Sequence, residues 1–288
     1  MLPEARETLS ELARHITNPG EEDPDFRKRN PSTFTVDARL ALTFSVATEA
    51  PLSHGMTPWL FLGPYYTARR HEDAHEFLMS VLTFEQCPSL YSQLQGRLQS
   101  YMECSHCGPS SQQCMTGSHE DFTSLSLHLP ETHISNQKLS TEELLLAFLS
   151  PERMPQGTRL NDKVWSCEHC EGSSRPTRTF TFESLPATFI VHFKRWTTRK
   201  EGTEYRADML RHAIEPSHTI HLNDVYYSLV ACVYYMGNAS IGHYVTVAKH
   251  DNQWWLYDDV CRKKCDAPKA ELQHNGHFMS YICVYEQS

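Results

Sequence analysis

Gly242-His243-Tyr244-Val245-Thr246-Val247-Ala248-Lys249, followed after Asp251-Asn252 by Trp254-Trp255-Leu256-Tyr257-Asp258-Asp259, is the stretch on which the reading of this chain turns. β-Branched and aromatic residues fill both halves, and Asp-Asn between two such runs marks a tight turn. The pattern predicts a hairpin in which His243 begins one strand and Asp258 ends the next. In an antiparallel pair these positions are neighbours, so Asp258 can accept a hydrogen bond from the imidazole. A carboxylate that fixes the tautomer of a His, which in turn deprotonates a nucleophile, is the logic of a catalytic triad. On spacing alone, a strand-edge His beside a solvated Asp258-Asp259 pair fits about as well. Gly242 offers the close backbone access that a cleft for a thin peptide needs. A second triplet, Gly276-His277-Phe278, has no carboxylate-bearing strand after it and ranks below His243.

More strands surround this hairpin. Segments 188–195 (TFIVHFKR), 225–236 (VYYSLVACVYYM) and 278–286 (FMSYICVYE) have strand composition, with Gly237-Asn238-Ala239-Ser240 at a turn. Upstream, 97–104, 121–129 and 178–185 read as strands. One helix interrupts them: Ser140-Thr141-Glu142-Glu143 is a capping box ahead of the apolar run 144–149, and Pro151 ends it. A second helix is predicted from Glu72 to about Leu82, with Phe77, Leu78, Val81 and Leu82 on one face. Residues 3–16 predict a third, stopped by Asn18-Pro19-Gly20. Residues 18–34 read as an exposed loop, and 35–70 show no clean period, broken by Pro51, Pro58 and Pro64. The sum is α+β: helices first, then mostly antiparallel sheet with a cysteine-bearing insertion.

The 288 residues carry 26 Lys+Arg and 35 Asp+Glu, a formal charge of −9, with 40% hydrophobic and 11% aromatic residues. That hydrophobic fraction supports a packed core and argues against a disordered chain. The negative balance suits a basic protein partner and excludes general nucleic-acid binding, which needs clustered Lys and Arg. No apolar run reaches the length of a membrane-spanning helix, and the N-terminus lacks the apolar core of a secretory signal. The expected location is the cytoplasm or nucleus, where thiols stay reduced.

Four of the ten cysteines form two C-x-x-C pairs, Cys104-Ser105-His106-Cys107 and Cys167-Glu168-His169-Cys170. Each knuckle can turn two thiolates to one side, and two knuckles close a tetrahedral, structural zinc site. His106 and His169 are weaker alternatives as ligands. Cys87, Cys114, Cys232, Cys261, Cys265 and Cys283 read as core residues.

Several blocks resemble the ubiquitin-specific proteases in that family's order. His71-Glu72-Asp73-Ala74-His75-Glu76-Phe77-Leu78 is similar to the family's Q-E-D-A-x-E-F-L block, and Leu185 to Trp196 (LPATFIVHFKRW) to its L-P-x-x-L-x-x-x-L-K-R-F strand. Tyr227 to Lys249 with WWLYDD resembles the histidine box, FMSYICVYE the closing strand, and the paired knuckles the zinc ribbon. His71 replaces a Gln and Trp196 a Phe. The resemblance implies a papain-like fold of fingers, palm and thumb, and hydrolysis of (iso)peptide bonds after the C-terminal Gly-Gly of ubiquitin. It implies His243 as general base, Asp258 as its orienting carboxylate, Asp259 as an assistant, and Asp73 and Glu76 as holders of the Arg-rich ubiquitin tail. For the acidic block, a solvated helix start is the plain alternative. Cys104, Cys107, Cys167 and Cys170 become the zinc ligands. The expected division is a partial thumb with a poorly matching loop over 1–70 and a protease-like domain over 71–288, with fingers at about 97–184 and palm at about 185–288.

The family's nucleophile lies in an N-terminal G-N-T-C-[YF]-x-N block. No such block occurs here, and no cysteine precedes Cys87. The chain reads as beginning just after it, with residues 5–20 similar to the helix that follows, so the thumb is expected to be incomplete. Thiol proteolysis needs an activated thiolate, and Cys87 and Cys114 fall on the wrong element to supply one. The expectations are a deubiquitinase sequence inactive as written, a monomeric pseudo-deubiquitinase that binds ubiquitin or ubiquitinated proteins without cleaving, or a zinc-stabilised interaction module. Neither nucleic acid nor membrane is an expected partner.

Overall fold

A computed structural model describes residues 73–82, 92–104, 106–107, 113–130, 138–160, 163–167, 169–170, 175–201, 204–238, 241–259 and 261–288. The readings made for 3–16, 18–34, 35–70 and Cys87 lie outside these residues. The elements are helices α1 (Ala74–Leu82) and α2 (Thr141–Leu149) and a long series of strands. The strands begin with β1 (Gly96–Cys104), β2 (Gln113–Phe122), β3 (Leu125–His128), β4 (Lys138–Ser140), β5 (Glu152–Arg153), β6 (Arg159–Leu160) and β7 (Lys163–Val164). They continue with β8 (Pro176–Ser184), β9 (Thr188–Lys194), β10 (Trp196–Glu201), β11 (Glu204–Met209), β12 (Ala213–Glu215) and β13 (Thr219–Leu222). The last are β14 (Val225–Gly237), β15 (Gly242–His250), β16 (Gln253–Asp258), β17 (Cys261–Lys264), β18 (Glu271–Gln273) and β19 (His277–Gln287).

The large sheet runs β17-β16-β15-β14-β19-β9-β3, with β13 on β14 and β18 on β19. Its ladders are antiparallel except β3–β9. The run Thr188 to Phe193 is buried throughout because both faces of β9 are covered. One face carries Phe189, Val191 and Phe193 into the main core with Leu127, Tyr227, Tyr234 and Tyr285. The other carries Ile190 into a smaller cluster with Met279, Tyr281 and Ile282, against which Ala74, Leu78 and Met79 of α1 pack. In β14 the buried positions shift from Tyr227 and Leu229 to Cys232 and Tyr234. An irregularity in pairing with β19 between Leu229 and Ala231 causes the change of face.

The smaller sheet, β2-β1-β8-β5, joins residues on either side of α2. The α2 capping box forms as the sequence predicts. Glu143 N–H donates to Ser140 Oγ at 3.1 Å, and Ser140 N–H to Glu143 Oε2 at 2.7 Å. Phe148 stacks on Phe180 of β8, centroids 4.9 Å apart. The single strand expected over 121–129 is two strands with a bend at Thr123-Ser124. Phe122 pairs with Gly96 in the small sheet, whereas Leu125 pairs with Val191 in the large one, so the chain changes sheets there.

Arg195, between β9 and β10, is fully buried. It donates to Ser280 O at 2.7 Å, His212 O at 2.9 Å and Leu210 O at 3.0 Å, tying the end of β9 to β19 and to the segment after β11. Burial lowers its pKa to about 10, so the group stays charged at neutral pH, held by carbonyl dipoles. Arg195→Met leaves three buried carbonyls without this donor and should destabilise the fold by about 3 kcal/mol. Ser140→Ala, which removes only the α2 cap, should cost about 1 kcal/mol. Urea unfolding of the two variants checks the ratio, and equal losses would contradict the role given to Arg195.

Candidate functional site

The hairpin predicted over 243–258 is present, and Asp251 and Asn252 take positive φ of 49° and 59°, as a two-residue turn matching the twist of its strands requires. The β15–β16 ladder pairs Thr246 with Tyr257. One step further, Asp258 falls opposite Val245, and His243 is its diagonal neighbour on the same face, within reach of long side chains. His243 Nε2–H donates to Asp258 Oδ1 at 2.6 Å. The imidazole is part-exposed, and its edge faces Phe278, centroids 6.0 Å apart. Bonding at Nε2 leaves Nδ1 as the nitrogen able to accept a proton. The Asp258 carboxyl sits below its ordinary pKa, first through the bond from His243 and then through one from His274. Asp259 is exposed, at a left-handed position (φ 48°) that turns the chain toward β17.

Gly242 serves a different purpose from the one its sequence context suggests. A Cβ there would lie 2.0 Å from Tyr235 Oη. What approaches this backbone is the Tyr235 ring, whose hydroxyl donates to Asn238 O at 2.6 Å. The glycine is needed for packing beside His243, a role its sequence context does not show.

Asp73 caps α1. Its Oδ1 accepts from the backbone N–H of His75 at 2.8 Å and of Glu76 at 3.0 Å. Its Oδ2 accepts the Tyr281 hydroxyl, and the Tyr244 hydroxyl stands 3.5 Å away. The acidic block is therefore fastened to β19 and to the residue next to His243. Glu76 is exposed one turn into the helix. Just inside, His75 stacks on His192 at 3.9 Å and 10°. Burial lowers both pKa values, His192 to about 3, so the pair is neutral at physiological pH. His75 Nε2 lies 2.8 Å from Ser124 Oγ, which pins the bend where the chain changes sheets.

The four cysteines of the two knuckles converge. Cys104 ends β1, and β8 runs antiparallel to it with Pro176 opposite Cys104, so both knuckles lie at one end of the small sheet. Cys104 and Cys170 sulfurs are 3.8 Å apart, as are Cys107 and Cys167, and all four lie within 4.8 Å of one another. Four thiolates at about 2.3 Å from one zinc ion have sulfur–sulfur separations of about 3.8 Å, so the donor set fits a tetrahedral ion. Hydrogen bonding to Cys170, followed by burial and the other thiols, raises the Cys107 pKa to about 12. Those protons would be displaced by a cation. His106 and His169 are exposed and outside the cluster. Cys232 and Cys283 pair across β14 and β19 in the core, sulfurs 3.8 Å apart.

His277 bonds Glu271 at 2.9 Å and stays out of the site. Sequence reasoning missed the neighbouring His274, whose Nε2 is 2.8 Å from Asp258 Oδ2. The signal available was the turn sequence His274-Asn275-Gly276, which reverses the chain into the last strand.

A family model described as ubiquitin carboxyl-terminal hydrolase matches residues 61–285. Ubiquitin carboxyl-terminal hydrolase Usp2 of Drosophila melanogaster is 28% identical over 209 residues, covering 67% of this chain and 19% of that protein. Ubiquitin carboxyl-terminal hydrolase 3 of Homo sapiens is 24% identical over 182 residues, covering 57% and 33%. The chain thus spans well under half the length of these curated relatives. Among solved structures, a yeast SAGA DUB module superposes with a TM-score of 0.67 at 16% identity, covering 99% of this chain and 63% of that one. The SAGA Ubp8/Sgf11/Sus1/Sgf73 DUB module bound to ubiquitin aldehyde gives 0.67 at 18%, covering 98% and 64%. The fold is that of these deubiquitinase domains, α+β and sheet-rich. With a family model spanning α1, the cysteine knuckles, the His243–Asp258 hairpin and most of β19, the chain belongs to the ubiquitin carboxyl-terminal hydrolase family.

Proposed function

We propose that this 288-residue chain acts in protein deubiquitination by engaging the C-terminal tail of ubiquitin, and that its own residues do not complete the hydrolysis. The observation that carries the reading is the His243–Asp258 pair at 2.6 Å in a chain with no cysteine before Cys87. In the family's chemistry a thiol gives its proton to the His and attacks the carbonyl after Gly-Gly, and the carboxylate steadies the imidazolium. Here Nδ1 of His243 is the atom suited to take that proton, Asp258 is the orienting group, and Asp259 assists from the adjoining turn. Of the cysteines read as core residues, Cys232 and Cys283 are buried among strands, Cys265 is half-buried, and Cys261 is instead exposed on the edge strand β17, opposite Asp258.

Binding is supported by the acidic α1 start. Asp73 and Glu76 offer carboxylates to a basic tail, in line with the net charge of −9. Asp73 lies beside Tyr244, so a tail held there would lead toward His243. One structural relative is described as bound to ubiquitin aldehyde. No helix among the described residues is long and apolar enough to cross a membrane. We assign the chain to a reducing compartment, cytoplasm or nucleus, and to a monomeric state in the absence of ubiquitin.

Ubiquitin titrated against the 288-residue chain should bind saturably, while ubiquitin carrying a C-terminal electrophile should form no covalent adduct. Adduct formation, with mass spectrometry naming the thiol, would overturn the inactivity. Absence of any binding by folded protein would overturn the ubiquitin reading and leave the interaction module. Asp73→Asn retains a good helix cap but removes the charge, and should weaken ubiquitin binding about tenfold, a charge-assisted hydrogen bond being worth about 1.5–3 kcal/mol.

Zinc is the cation the four thiolates suit best. Protein purified under reducing conditions should contain one zinc per chain, and a strong chelator should lower its melting temperature and release the β1–β8 end of the small sheet. Metal-free protein of unchanged stability would remove the assignment.

A further inference from the structure

We infer that His274 is a positioning residue that locks the Asp258 carboxylate in its orientation toward His243, through a hydrogen-bonded relay that begins at Lys263. Both carboxylate oxygens are engaged by imidazoles: Oδ1 by His243 Nε2 at 2.6 Å and Oδ2 by His274 Nε2 at 2.8 Å. Of the three side chains His274 is the most buried, 12% exposed against 22% for Asp258 and 37% for His243. Its other nitrogen, Nδ1, lies 2.9 Å from Lys263 Nζ. An ammonium has only protons to offer. Nδ1 must therefore be the acceptor, the proton of His274 must sit on Nε2, and that proton must point at Asp258. Lys263 thus sets the tautomer that makes His274 a donor toward Asp258.

The relay is built from three different elements. Lys263 lies on β17 opposite Leu256, on the face of the sheet that carries Asp258. His274 lies at the turn between β18 and β19, closed by its own N–H bonding Gly276 O at 3.0 Å, with Asn275 at φ 50° and Gly276 at φ 151°. A Cβ on Gly276 would lie 2.2 Å from Met236 Sδ, and Met236 is the ladder partner of His243. The turn holding His274 is therefore seated against the residue that faces His243 across the ladder. Other charges near these elements are Arg262 and Lys264 on β17, which stand over the Trp255 ring, Asp259, which follows Asp258 in the chain, and the Glu271–His277 pair on the β18–β19 hairpin. A carboxylate held at one oxygen only can swing about its Cβ–Cγ bond, and holding the second oxygen removes that freedom.

This inference rests on the reading of His243 and Asp258 as the base pair only for its consequence. Its test needs no ubiquitin and no activity. In the zinc-loaded 288-residue chain, NMR should show a downfield Nε2–H proton of His243 in slow exchange with water. His274→Phe should abolish that signal and move the Asp258 carboxyl titration up toward the ordinary range, because one of the two bonds favouring the carboxylate is gone. His274→Gln, whose amide can donate to Oδ2, should restore both. Lys263→Met should weaken the signal, since it frees the His274 tautomer. An unchanged His243 signal and Asp258 titration in folded His274→Phe would overturn the proposal. So would a His274→Gln variant that folds and yet behaves like one with no donor. Loss of ubiquitin binding with the signals intact would count against the functional reading alone.

Discussion

The site depends on one constraint: the register of the β15–β16 ladder. His243 and Asp258 meet because Thr246 stands opposite Tyr257, which sets their side chains diagonally on a single face. Side chains alternate along a strand, so a slip of one residue would send Asp258 to the opposite face and leave the imidazole without its carboxylate. The register is secured from both sides. Asp251 and Asn252 close the turn in left-handed conformations that match the twist of the two strands. Val245, Val247 and Leu256 share that face and are buried in the core, so a slip would also expose them. The hydrophobic pattern and the His243–Asp258 geometry are thus fixed by the same hydrogen bonds.

A second set of polar ties sets what lies across from that hairpin. Arg195 draws the end of β9, the segment after β11 and β19 together through carbonyls. β19 in turn presents Tyr281 to Asp73. Asp73 therefore does two jobs with one carboxylate: Oδ1 satisfies the orphan amides of α1, and Oδ2 fastens the helix to the sheet. The acidic block and the plain helix-start reading are compatible, since the cap uses the inner oxygen and leaves the charge in place. The neutral His75–His192 stack fills the space beneath without adding a competing charge.

Much of this was legible in the sequence where local chemistry is decisive. The Asp-Asn turn, the capping box at Ser140 and Glu143, the helix α1 itself and the two C-x-x-C knuckles each carry their signal within a few residues. The predicted α1 face is met, among the described side chains, only at Leu78, with Ala74 and Met79 packing beside it. The strands β9, β14, β15, β16 and β19 differ from their sequence-read limits by about a residue at either end, within the usual ambiguity of strand ends. What the sequence hid depends on distant partners. Nothing local says that Phe122 and Leu125 belong to different sheets, since the break comes from Gly96 and Val191 far along the chain. The edge strand β17, all exposed and rich in basic residues, lacks the apolar alternation that marks a strand. Nothing local marks Arg195, at the end of the run 188–195, as a buried cation, since the carbonyls around it belong to Leu210, His212 and Ser280. His274 is obscure in the sequence because its carboxylate partner, Asp258, precedes it by 16 residues with two strands between them.

That last omission bears on how a site of this kind is organised. A carboxylate that orients an imidazole must itself be oriented, and at the part-exposed open end of a hairpin that is the weak point of the arrangement. The solution here uses a second imidazole from the far side of the ladder, with its tautomer set by an ammonium that can only donate. Directionality follows without further assumption: protons point from Lys263 to His274 and from His274 to Asp258, and from His243 to the same carboxylate. Asp258 is an acceptor at both oxygens, and the bonds from His243 and then His274 hold its pKa below the ordinary carboxylate value. The basic nitrogen of the site is thereby confined to Nδ1 of His243. The geometry around His243 is thus more constrained than a lone His–Asp pair would be, and this rigidity comes from β17, β18 and β19 rather than from the hairpin that carries the pair.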